Sequence, residues 1–218
     1  MQLNKQKGFT LVEIAIVLVI VGLLIGGVLK GQEMITNAKL KRIESDNAGI
    51  AAAMFSYQDR YLQLPGDDSA ASTRFDTYAA LGTPADADGD GLGTIGGAWN
   101  AINGTSIVAA SLESELFFAH LRAAGLVPGG GTDTTRPSNA YGGLIGVQDG
   151  SLLIAGHVTI FGQIEGPISK IIEARLDDGI PLSGRIQSAL TTNSMAGGTI
   201  SAEATYSDAQ RYNMAFRL

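Results

Sequence analysis

An apolar run from Phe9 to Leu29 limits what this chain can become. It is 21 residues long and carries a single charged side chain, Glu13, near its start. At about 1.5 Å of rise per residue, a helix of that length spans ~30 Å, one bilayer core. A globular core helix has no use for so long and uniform a stretch. A carboxylate inside a membrane segment costs roughly 2–3 kcal/mol on insertion scales, so Glu13 is expected to have a partner. An ordinary single-pass anchor and a secretory signal starting at Lys5 and Lys7 are the plain alternatives. The signal reading fits poorly. The stretch exceeds a usual signal core, Glu13 interrupts it, and Ile25-Gly26-Gly27 is a poor cleavage site. Flanking charge does not fix orientation, since Lys5 and Lys7 are matched by Lys30, Lys39, Lys41 and Arg42 on the other side.

Lys7-Gly8-Phe9-Thr10-Leu11-Val12-Glu13 resembles the prepilin cleavage and methylation motif of type IV pilins and type II secretion pseudopilins. The resemblance covers only the beginning of the chain. It implies cleavage after Gly8 by a prepilin peptidase, N-methylation of the new terminus Phe9, and a need for Glu13 in assembly. The partners it implies are the inner membrane before assembly, an inner-membrane assembly platform, and further copies of the chain in a helical homopolymer. Elementary electrostatics agrees. Cleavage creates a positive amine at Phe9, and a buried charge left unpaired is far costlier than a buried pair. Glu13 of one subunit is therefore expected to meet the Phe9 amine of a neighbour and to set axial register. Gly22, Gly26, Gly27 and Gly31 each cost about 1 kcal/mol against Ala in a helix. They suit close helix packing or a stretch that unwinds in the polymer, and both readings stand.

Ile43, Ile50, Tyr57 and Leu64 recur every seven residues, with Met54 and Tyr61 beside them, which predicts an amphipathic helix continuing to Leu64. Lys39, Lys41, Arg42, Glu44, Asp46, Asp59 and Arg60 occupy its other face, and Pro65-Gly66 ends it. Such a helix from Phe9 would be ~80 Å long, more than a compact domain needs. The expected layout is a leader 1–8, a transmembrane and filament-core helix 9–30, the amphipathic half 31–64, and a head 65–218. The fold class is α+β: a long N-terminal helix packed on an antiparallel sheet, as in type IV pilins.

The head carries a net charge of −8 and 23 of the chain's 29 glycines, which suits short strands and long ordered loops. Ser111 is expected to cap a helix to Ala124, with Glu113 and Glu115 in its first turn and Leu112, Leu116, Ala119 and Ala123 inward. Residues 143–147 and 151–164 read as paired strands turning at Asp149-Gly150. Pro167 opens a second helix with Ile168, Ile171, Ile172 and Leu176 inward. Alternation from Arg211 to Leu218 reads as a half-buried strand at the end of the sheet. Tyr57-Gln58-Asp59-Arg60-Tyr61, Leu64-Pro65-Gly66-Asp67-Asp68, Leu176-Asp177-Asp178-Gly179 and Ser183-Gly184 are similar to segments of a proteobacterial group of pilin-like proteins. The chain has no cysteine, so no disulfide pins its loops.

Asp86-Ala87-Asp88-Gly89-Asp90-Gly91 is the candidate calcium loop: alternate carboxylates aim at one point and Gly91 allows the turn. Its twelfth position is Gly97 where a bidentate Glu is usual, so other ligands would come from elsewhere. A solvated acidic turn is the plain reading. Gly91-x-Gly93-x-x-Gly96 has dinucleotide spacing only, beside aspartates that repel phosphate. Asn103-Gly104-Thr105 is a sequon better read as a plain loop. His120 and His157 read as structural, and no nucleophile elbow or cysteine nucleophile is present. An acidic head without interleaved basic and aromatic residues predicts no nucleic-acid partner. A type IV pilus subunit serving adhesion, motility or surface attachment is the expected role, exported from the inner membrane to an extracellular fibre. A pseudopilin in a periplasmic secretion piston shares every one of these residues. A membrane-tethered periplasmic enzyme is the class-distinct rival, and the chain offers it no catalytic constellation.

Overall fold

The structure, a computed structural model, describes residues 10–81, 83–101, 106–107, 112–198 and 205–218. Two compact units divide it, residues 1–41 and residues 42–218. Helix α1 runs Leu11–Tyr61, 51 residues, and contributes to both. In the first unit it contains a stretch long and apolar enough to cross a membrane. Its side chains there are bare: Leu11, Val12, Leu18, Val19, Leu23, Leu24 and Leu29 are all well exposed. The helix is unbroken through Gly22, Gly26, Gly27 and Gly31, and a Cβ at any of the four would meet nothing within 4 Å.

In the second unit the seven-residue stripe of α1 turns inward. Ile43, Ile50, Met54 and Tyr57 are buried, while Phe55 on the opposite side is exposed. The helix stops at Tyr61, three residues before the expected Leu64, because Leu62 adopts φ 56°, a left-handed conformation that ends α-helix. Leu64 is buried nonetheless, beyond the helix.

Short helices follow at Ala71–Arg74 (α2), Glu113–Ala123 (α3) and Gly166–Leu176 (α4). Strands β1 Ile145–Ser151, β2 Ile154–Glu165, β3 Ile186–Leu190 and β4 Arg211–Arg217 form an antiparallel sheet ordered β1-β2-β4-β3. The long α-helix plus antiparallel sheet is the α+β layout expected from the sequence.

Several local expectations are corrected. Gly150 does not turn the hairpin. It sits at φ 65° as a bulge between Asp149 and Ser151, and the two-residue turn is Leu152-Leu153. Strand β4 is central and buried on both faces: Tyr212, Met214 and Phe216 are buried, and so are Asn213 and Ala215. Ala215 joins Trp99, Leu152, Val158, Ile160, Ala189 and Met195 in one core, while Phe216 meets Phe161 edge-on at 5.2 Å on the other side. Gly146 and Gly162 let Trp99 lie close over β1 and β2, since a Cβ on either would collide with it. In α4, Ile168 and Ile172 point inward as expected, but Ile171 and Leu176 are exposed and Glu173 takes the buried position. Helix α3 buries Phe117, Phe118, His120 and Leu121 as well as Leu116 and Ala119. At its start Glu115 Oε2 accepts the Leu112 N–H at 3.1 Å, and the Ser114 N–H donates to Gly96 O at 3.0 Å. Ser111, its expected cap, lies outside the described residues.

Candidate functional site

Two regions hold the residues singled out by sequence. In the first, Gly8 and Phe9, the expected cleavage and methylation positions, lie outside the described residues. Glu13 is described, and it has a partner within its own chain. Its Oε2 accepts both the Thr10 N–H and the Thr10 hydroxyl at 2.8 Å, and the Glu13 N–H donates to Thr10 Oγ1 at 3.2 Å. Thr10-Leu11-Val12-Glu13 is thus a reciprocal capping box. Two of the helix's orphan N–H groups are satisfied, and the carboxylate sits at the positive end of the α1 dipole. The signal was present in the sequence as Thr followed three residues later by Glu.

In the second region the structure gives Asp86, Asp88 and Asp90 different partners. Asp86 accepts the Thr83 hydroxyl, within the turn that holds Pro84–Ala87. Asp88 accepts the Ser72 N–H and hydroxyl, both at 2.7 Å, and so secures the first turn of α2. Asp90 alone enters a convergent group, and its companions are Asp67 and Glu113: one oxygen from each lies within 4.8 Å of the others. Asp67 stands just past the end of α1 and Glu113 opens α3, so the group joins segments far apart in sequence.

That group is filled by backbone donors. Asp67 accepts the Leu92 and Gly93 N–H groups at 3.0 and 2.8 Å. Glu113 accepts those of Asp90 and Gly96 at 2.9 and 2.6 Å. The glycine-rich loop 91–96 therefore does bind anions with its amides, but the anions are the protein's own carboxylates. Its positive-φ glycines, Gly91 and Gly93, shape that nest. Burial, with the neighbouring Asp90, pushes the Asp67 carboxyl up, and burial, with Asp90 and Asp67, does the same to Glu113.

His120 ties Gly66, beside Asp67, to Ala87. Its Nδ1 accepts the Gly66 N–H at 2.9 Å, so its Nε2 carries the proton that goes to Ala87 O at 2.7 Å. Burial pushes its pKa down to about 4, which keeps the ring neutral. Beside it, the Tyr57 hydroxyl donates to Asp68 at 2.7 Å, and Arg74 forks onto both Asp68 oxygens at 3.0 and 3.1 Å. Burial works to raise the Asp68 pKa, but these bonds outweigh it and hold the carboxyl below its ordinary range. His157 Nδ1 lies 3.2 Å from Asp149 Oδ1 across β1 and β2 without forming a hydrogen bond. His120 therefore has a structural job. The sequon lies outside the described residues.

Residues 3–29 match the family model described as the prokaryotic N-terminal methylation motif, the signal motif of type IV pilins and pseudopilins. No curated protein and no solved structure matches the chain. The motif supports a structural subunit of the pilin or pseudopilin class, anchored in a membrane by its apolar helix before assembly.

Proposed function

We propose that this protein is a subunit of a type IV pilus. A prepilin peptidase cuts it between Gly8 and Phe9, the Phe9 amine is methylated, and the mature chain polymerises through α1 into an extracellular fibre for adhesion, motility or surface attachment. The observation that carries this reading is the bare apolar surface of α1 from Leu11 to Leu29, within the matched methylation motif of residues 3–29. So much exposed apolar surface is stable only in lipid or against identical helices.

Glu13 has a different role in each state. In the precursor the Thr10 cap lowers the cost of holding a carboxylate at the edge of the bilayer. After cleavage the Phe9 amine of a neighbouring subunit competes for the same carboxylate as a full positive charge. Exchange of an internal cap for an intersubunit ion pair lets the subunit rest in the membrane and still register in the fibre. The acidic heads coat the fibre and repel phosphate-rich surfaces.

Electron microscopy of intact cells, with and without the gene, tests the assignment. Long surface fibres that contain this chain support it. A chain confined to the periplasm, with no fibres and a defect in protein secretion, would move it to the pseudopilins.

A further inference from the structure

A second acidic group lies at the end of α4, far along the chain from the first. Glu173, Asp177 and Asp178 each place a carboxylate oxygen within 4.8 Å of the other two. Glu173 has no exposed surface, and its Oε1 has no hydrogen-bond partner. Its other oxygen accepts the Tyr206 hydroxyl at 3.0 Å, and that hydroxyl in turn receives a bond from Ser188 at 2.8 Å. Among the described residues no Lys or Arg forms an ion pair with any of the three carboxylates. The group therefore gathers three carboxyl groups, one of which has a buried oxygen that no hydrogen bond fills. An unpaired buried carboxylate is costly, so Glu173 needs either a proton or a cation.

The remainder of the site is built to hold that charge in place. Asp177 Oδ2 accepts the Ile186 N–H at 2.7 Å, leaving Oδ1 free. Asp178 accepts the Ile180 N–H at 2.9 Å and the Ser183 hydroxyl, and its side chain is exposed, so the group is open to solvent. Glu173 and Asp177 are four residues apart on one face at the C-terminal end of α4, where the helix dipole favours a cation. This contrasts with Asp67 and Glu113 of the first group, whose oxygens are all taken by backbone N–H groups.

We infer that Glu173, Asp177 and Asp178 bind one calcium ion. Three oxygens within 4.8 Å of one another are near enough for small side-chain shifts to bring each to the roughly 2.3–2.6 Å of a calcium ligand. All three ligands are hard oxygens, and the exposed side admits the waters that complete calcium's coordination. The ion ties the end of α4 to the loop that enters β3, a junction that the Tyr206–Ser188 bridge already marks. In a chain without cysteine it does the work of a disulfide clip.

The test is calcium titration of the full chain in detergent micelles, followed by calorimetry and by melting. One calcium per chain is expected, with a melting temperature about 5 °C higher at hundredfold excess over Kd. Glu173→Gln, which keeps the shape and the Tyr206 contact, and Asp178→Asn, at an exposed position, are each expected to weaken binding at least tenfold. Asp90→Asn is expected to leave it unchanged. No calcium binding, or binding unaffected by both Glu173→Gln and Asp178→Asn, overturns the inference. So does binding lost in Asp90→Asn alone, which would place the ion in the other acidic group. A chain stabilised only by acid, through a proton on Glu173, overturns it as well.

Discussion

Glu13 and His120 are each fixed by hydrogen bonds with named partners, and each makes a prediction. Replacing Glu13 with Gln keeps an acceptor for Thr10 but removes the charge that a neighbouring amine would seek. Cleavage after Gly8 should proceed as before while fibre yield falls at least tenfold, read by the mass of the mature chain and by sedimentation of sheared filaments. His120 sets part of the acid limit of the fold. An unfolded histidine titrates near 6.5, and burial pushes the folded value to about 4. Between these values the unfolded chain binds a proton that the folded chain refuses. Stability is therefore complete above about pH 6.5 and declines as pH falls toward 4, by on the order of 3 kcal/mol. His120→Gln should flatten that slope in a series of urea melts. Glu173 runs the other way in the calcium-free chain. Burial first, then Asp177 and Asp178, push its pKa up to about 8 against hydrogen bonding from Tyr206. Stability from its proton is thus present at low pH and lost as pH rises through about 8, and Glu173→Gln should remove that loss.

Helix α1 makes the sharpest statement at the level of elements, because its two faces differ so much beyond Arg42. Ile50→Ala should cost about 2–4 kcal/mol, whereas Phe55→Ala, one face away, should change stability by less than about 0.5 kcal/mol. Equal effects in a denaturant titration would mean the buried face is misassigned. That stripe was legible in the sequence because a seven-residue period is a local pattern. The methylation motif and the α3 and α4 helices were legible for the same reason. Strand β3 was not, because Gln187 and Ser188 are buried and break the alternation that marks a half-exposed strand. The central place of β4 was hidden too, since strand order depends on pairing partners far along the chain. Asp149-Gly150 carried a genuine backbone signal, φ > 0 at Gly150, but a bulge uses it as readily as a turn. Asp67 and Glu113 looked like a loop residue and a first-turn residue. Only folding shows that they share the amides of one glycine-rich loop.

On the scale of the whole molecule, the chain is partitioned by solvent. Residues 42–218 form a compact unit with its own core, and the exposed apolar surface of residues 11–29 belongs to lipid or polymer. A chain beginning at Arg42 should therefore be a soluble, cooperatively melting monomer without detergent, while the full chain needs detergent. Precipitation of the shortened chain would show that the core depends on the segment removed. The negative charge of the head, −8 by composition, makes heads of separate copies repel one another. In the proposed function one cut converts a membrane-held precursor into a polymerising subunit. Intact mass of the chain recovered from sheared cell-surface material tests this most directly. The predicted species begins at Phe9 and carries one added methyl group. A chain that still begins at Met1, found only as single molecules in the membrane, would contradict it.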